Sequence, residues 1–116
     1  MSIVLEQGLN KIRDYIYDKL KDGQLGSDGT TVTTADTGLG APITITLKPL
    51  TITKNDKSLK IEYTTSAGDG SGSSAREFGI TDVDDLLITR AVFPAEDLDS
   101  TSVVSTTTQL LILQDI

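Results

Sequence analysis

The apolar positions of the chain change period once. Near the N-terminus Leu5, Leu9, Ile12, Ile16 and Leu20 recur at steps of four, three, four and four, the spacing of one helical face. Ser2 is a suitable N-cap, Lys19 and Lys21 suit the negative end of the helix dipole, and Asp22-Gly23 supplies a stop. The spacing predicts an amphipathic helix over residues 1–22. Beyond residue 42 the period drops to two. Ile43, Ile45 and Leu47 alternate with Thr44, Thr46 and Lys48, and Leu59, Ile61 and Tyr63 alternate with Lys60, Glu62 and Thr64. Each run reads as a strand with one buried face. Pro49 bends the first or places it at an edge, Thr51–Thr53 continues it, and a hairpin closes over Lys54–Ser58.

From Arg76 to Pro94 two apolar segments, Phe78–Ile80 and Leu86–Phe93, flank Asp82-Val83-Asp84-Asp85. This is the layout of a second hairpin, with an Asp-rich turn. Arg76, Glu77 and Arg90 are placed for a cross-strand ion pair on it. A polar connection, Pro94–Ser102, leads to a last strand within Val103–Ile116, whose consecutive Leu110-Leu111-Ile112-Leu113 implies cover on both faces. Two stretches lack any period. Residues 23–42 carry five glycines among Ser, Thr and Asp, a long connection that is either mobile or pinned to a partner, and Ser66–Ser74 reads as a flexible loop. The pattern predicts a mainly β chain: one antiparallel β-sandwich-like domain (43–116), a connection (23–42) and an N-terminal amphipathic α-helix. The helix stripe fits two arrangements. It lies across the sheet of its own domain, or it forms a short coiled-coil seam with a copy or a neighbouring subunit.

Composition supports strands and removes most chemistry. Hydrophobic residues make up 37% of 116, below the usual globular share, and Thr is abundant. With no Cys, His or Trp, thiolate metal sites, cysteine nucleophiles and imidazole bases are excluded. No apolar run has the length to span a bilayer, and no basic leader precedes Glu6. The net charge of −7 is uneven: residues 77–116 hold eight acids against Arg90 alone. Clustered cations, which a phosphate backbone demands, are missing there, so a nucleic-acid partner is not expected. The Gly-rich connection lacks the G-x-x-x-x-G-K-[ST] pattern of a phosphate loop. Asp82, Asp84 and Asp85 are oxygen donors at close spacing, yet the EF-hand pattern fails and a self-bonded turn is the better reading. Paired carboxylates for glycoside hydrolysis would need aromatic walls, and the chain has five aromatic rings in all. No catalytic, cofactor or metal site is expected.

The order of parts resembles small virion proteins of tailed bacteriophages and related tailed viruses, especially tail-associated proteins and tail-fibre attachment domains. The resemblance runs through Lys-Asp-Gly-Gln-Leu-Gly after the helix, Gly-Ser-Asp-Gly-Thr, Thr-Ala-Asp-Thr-Gly-Leu, then Arg-Glu-Phe-Gly-Ile and Leu-Leu-Ile-Thr-Arg-Ala-Val-Phe-Pro. In the family the hairpin commonly reads R-E-[LIF]-G-[LI], a short turn, and L-[LI]-A-R before an aromatic and Pro. Here Thr89 replaces the usual Ala, the turn is Asp-rich without Gly, and no Lys follows Pro94 near Asp97 and Asp99. The resemblance implies a non-enzymatic tail, baseplate or fibre-attachment component located in the virion. Its partners would be other virion proteins and copies of itself, a trimer being favoured, with no membrane. A capsid decoration or vertex protein and a receptor- or carbohydrate-binding module are the alternatives. Leu5, Leu9, Ile12, Ile16 and Leu20 become the candidate assembly surface, and Arg76, Glu77, Phe78, Gly79, Arg90, Phe93 and Pro94 the structural hairpin.

Overall fold

Helix α1 runs from Glu6 to Lys19 in the computed structural model, which describes residues 5–56 and 58–111. Its apolar stripe divides. Leu9 is buried and Ile16 packs against the core, while Leu5 and Ile12 are 58% and 47% exposed. The helix lies on the smaller of two sheets, with Arg13 donating to the Asp56 carbonyl and Lys54 paired with Asp14. The predicted cap residue Ser2 falls outside the described residues.

The helix stops earlier than its spacing predicts. Leu20 turns extended (φ −73°, ψ 143°), and the chain passes without a loop into strand β1, Leu20–Gly26. Gly23 is therefore no helix cap, and the predicted connection 23–42 loses its first four residues to a strand. The reason lies in packing. A Cβ on Gly23 would lie 2.5 Å from Tyr63 Cδ2 and 3.0 Å from Phe78 Cε1, so glycine lets two rings close over the strand. Gly23→Ala is expected to cost about 1–3 kcal/mol, the usual penalty for overpacking, seen as a lower urea midpoint at unchanged slope.

Strand β2 (Lys48–Pro49) is an edge, β3 (Thr51–Asn55) and β4 (Ser58–Thr64) form the predicted hairpin, and β5 (Ser74–Asp82) and β6 (Leu87–Asp97) form the second. With β7 (Ser105–Leu111) they build two antiparallel sheets, ordered β2-β1-β5-β6 and β3-β4-β7, that pack as a sandwich. The chain changes sheet at Leu50, beside Pro49, where the missing N–H suits an edge. Between the sheets lie Leu25, Ala75, Phe78 and Ile80 from one side, Leu59, Ile61 and Tyr63 from the other, and Leu98. The Tyr63 and Phe78 rings meet at 4.9 Å and 54°. Tyr63 donates its hydroxyl to the Thr46 carbonyl at 2.5 Å, and burial pushes the phenol up to about 12.

Three expectations need correction. The strand predicted over 43–48 is a single 3-10 turn, Thr44–Thr46, followed by the two residues of β2. There Thr46 takes the interior. Its hydroxyl accepts the Leu25 N–H (2.9 Å) and donates to the Ile43 carbonyl (2.6 Å), leaving Ile45 and Leu47 exposed. The stretch Ser66–Ser74 is held by main-chain bonds: Gly72 N–H to Leu98 O, Leu98 N–H to Ser73 O and Gly68 N–H to Ser102 O. Lys48 reaches Asp69 across it at 2.9 Å. Finally, β6 continues through Pro94 to Asp97, so the polar connection is shorter than Pro94–Ser102. Residues 112–116 of the predicted last strand, and the double cover expected there, lie outside the described residues.

Candidate functional site

The first notable site is a clamp on the outer face of the larger sheet. Alternation along β5 puts Phe78 and Ile80 into the sandwich and Glu77 and Gly79 on the opposite face. Yet Glu77 is fully buried, because residues 27–41 fold over it. The ends of that loop meet where Gly26 bridges Pro42 and Ser27 donates to Ala41 O, which makes it an Ω-loop. Glu77 Oε2 accepts the N–H groups of Asp28 (3.0 Å) and Ala41 (2.9 Å), and Oε1 accepts Gly40 N–H and Arg90 Nε, both at 2.9 Å. Arg90 then reaches into the loop. Its Nη1 donates to Thr30 O and Asp36, and its Nη2 to Asp28 O.

The electrostatics follow from these partners. Burial on its own would raise the Glu77 carboxyl, but Ala41 N–H, Arg90, Gly40 N–H and Asp28 N–H together hold it below the usual range. Bonding to Glu77, ahead of Asp36, raises Arg90 further. Thr30 lowers Asp28, and Thr33 lowers Asp36. Glu77 accepts four hydrogen bonds and Arg90 donates four, all to or from the loop or each other, so the arrangement fixes the loop. Gly79 contributes space: a Cβ there would lie 2.7 Å from Leu87 Cδ1 and 2.8 Å from Leu39 Cδ2.

Of the predicted hairpin residues, Glu77, Arg90 and Gly79 thus come together, while Arg76 is exposed and takes no part. Phe78 and Phe93 pack on the core side. The loop residues Asp28, Asp36, Gly40 and Ala41 escaped sequence reasoning. A partial signal exists in Asp28-x-Thr30 and Thr33-x-x-Asp36, where Asp bonds a neighbouring Thr and shapes the loop locally. The Asp82–Asp85 segment is a turn held by its own carboxylate: Asp82 Oδ1 accepts Asp84 N–H and Leu86 N–H, both at 2.9 Å. Asp85 sits at φ 61° and meets Lys21 at 3.3 Å. Among the described residues no group of three or more acidic side chains is gathered to hold a metal ion, and no helix is long and apolar enough to cross a membrane.

The second site is an apolar cleft of about 330 Å³. It opens on the side of the sandwich away from Leu50, between β6 and β7, with the last turns of α1 above it. Ile61 and Ile80 form its floor, Ile16 and Leu20 its roof, and Ile88 and Leu110 its walls. Tyr15, Lys19 and Asp84 stand at the mouth. The helix stripe therefore serves two ends: Leu9, Ile16 and Leu20 face the domain, and Leu5 and Ile12 face outward with Tyr15, which is 65% exposed. Comparison with family models, curated proteins and solved structures finds no match.

Proposed function

We propose that the chain is a non-catalytic structural protein of a tailed-virus virion, a tail, baseplate or fibre-attachment component that works by protein–protein assembly. The observation that carries this reading is where large apolar side chains remain outside. Leu5, Ile12 and Tyr15 do so on the helix, and Val83, Leu86 and Ile88 at the adjoining end of the β5–β6 hairpin. Isolated exposed leucines are ordinary, and Val32, Ile45, Leu47, Val92 and Val103 are scattered in that way. Six of the eleven exposed large apolar side chains among the described residues, however, fall on the helix and the adjoining hairpin turn, where such a concentration marks an interaction surface. The residues behind the resemblance support it too: Arg-Glu-Phe-Gly-Ile lies in β5 and Leu-Ile-Thr-Arg-Ala-Val-Phe-Pro in β6, where they build the clamp. For the carbohydrate-binding alternative Tyr15 is the one large exposed ring among the described residues, since Tyr63 and Phe78 are spent in the core.

Light scattering on the purified chain is expected to report an oligomer, with a trimer favoured. Replacing Ile12 by Asp and Tyr15 by Ser is expected to return it to the monomer at unchanged melting temperature, since both side chains are exposed. Antibody labelling of purified particles gives the location. Label at the tail end supports the reading, label spread over the head favours a capsid decoration protein, and a strict monomer that labels no particle ends it.

A further inference from the structure

We propose that the apolar cleft and the unpaired side of β6 form a docking groove for an extended segment of a different polypeptide. That segment would alternate apolar with small polar residues and carry basic residues at both ends. The inference deepens the assembly reading and rests on it for the partner being a structural chain.

The sandwich is closed on one side and open on the other. At Leu50 the chain itself passes between the sheets; on the β6–β7 side it crosses only beyond Asp97, through residues 98–104, and along Leu87–Phe93 no described strand joins the two sheets. Among the described residues β6 is paired only with β5. Thr89 and Ala91 are register partners of Ile80 and Phe78, so they share the inward face, and still both are exposed. An inward face that no described residue covers leaves a gap in the sandwich, and the buried Ile61 and Ile80 give that gap an apolar bottom.

Free edges of this length are normally guarded by charge. From Leu87 to Phe93 the sole charged residue is Arg90, and its guanidinium, 4% exposed, is turned into the clamp. Pro94 has no N–H, which confines an added ladder to that stretch. Main-chain pairing with side chains entering the cleft is the geometry of strand addition.

Charge selects the occupant. Asp84 at one end of β6 and Glu96 at the other are exposed, and among the described residues neither has an ion-pair partner. Lys19, the one cation among the described residues lining the cleft, lies over the Tyr15 ring at 5.3 Å. A second copy of β6 in antiparallel pairing would set Asp84 and Asp85 of each chain towards Glu96 and Asp97 of the other. Self-pairing is therefore opposed, and a segment with Lys or Arg at its ends is favoured.

The test uses the full chain and a fluorescent peptide of eight alternating Val and Thr residues with two Lys at each end. A control peptide carries Glu in place of Lys. The Lys peptide is expected to bind about tenfold or more tightly than the control, with affinity falling as salt rises. Amide exchange should slow along Leu87–Phe93. Ile88→Glu, and separately the pair Asp84→Lys and Glu96→Lys, should each weaken binding without moving the melting curve. Equal affinity for both peptides, no binding of either, or protection elsewhere overturns the proposal. Self-association that protects β6 amides without peptide overturns it in favour of a second copy. A chain that binds the Lys peptide at β6 but labels no particle keeps the groove and ends the virion reading. A particle component indifferent to the peptide does the reverse.

Discussion

Glu77→Ala is expected to lower the unfolding free energy by about 3–5 kcal/mol, the range found when one partner of a buried ion pair is removed. Domains of this size hold roughly 5–15 kcal/mol in total, so the loss would take a large share. The size follows from what the carboxylate satisfies. Removing it strands the N–H groups of Asp28, Gly40 and Ala41 beneath the loop and leaves the Arg90 guanidinium facing a void. Glu77→Gln keeps the shape but loses the charge, and turns an amide NH2 towards backbone donors, so it falls between parent and Ala. Arg90→Lys will not restore the parent either, because one ammonium does not span Glu77, Asp36 and two carbonyls as a planar fork does. Urea unfolding at neutral pH measures the loss. Faster amide exchange at Gly40 and Ala41 locates it, and an Ala variant that unfolds like the parent would refute the clamp.

How much of this was legible depends on the range of the interaction. The β5–β6 hairpin was plain, because two apolar runs around an Asp-rich turn are local facts, as was the pairing of β3 with β4. The Glu77–Arg90 pair was visible as opposite charges on facing strands. What they hold was not, since apart from the Asp36 carboxylate their partners are backbone groups of residues 28–41, up to 62 positions away, and a backbone N–H or carbonyl leaves no mark in a sequence. The loop looked long and structureless for that reason. Strand β1 was hidden differently. Leu20 completes the helical stripe and also begins a strand, and Gly23 reads as a helix stop when its purpose is to admit Tyr63. At Ile43–Leu47 alternation misled, because a threonine with two hydrogen-bond partners displaced the isoleucine from the interior. The cleft is a property of where two sheets end, and no periodicity encodes that.

The same clamp contributes to the acid response. Stability is expected to be flat from about pH 5 to 8, since the chain has no His to titrate there. Below that it should fall steeply. In the folded chain Glu77, Asp28 and Asp36 are all held below their ordinary values of 4.5 for Glu and 3.8 for Asp. The unfolded chain then binds protons at higher pH than the folded one, so unfolding takes up protons. The stabilisation these groups give is present above the unfolded values and is lost as pH drops through the folded ones. Asp28 and Asp36 lie nearer solvent, so their share is discounted for screening. Asp14, Asp69 and Asp99 outside the clamp are also held low and add to the fall, and Glu77 is the fully buried contributor. Melting temperatures taken at neutral pH and in steps below 4.5 should trace the fall. Glu77→Gln should start lower and decline less steeply over the same interval. High salt should leave the parent's fall largely in place, because a buried pair is screened far less than a surface one. If parent and Gln variant decline in parallel, the acid sensitivity lies outside the clamp, and the loop is held by its backbone bonds without need of the charge.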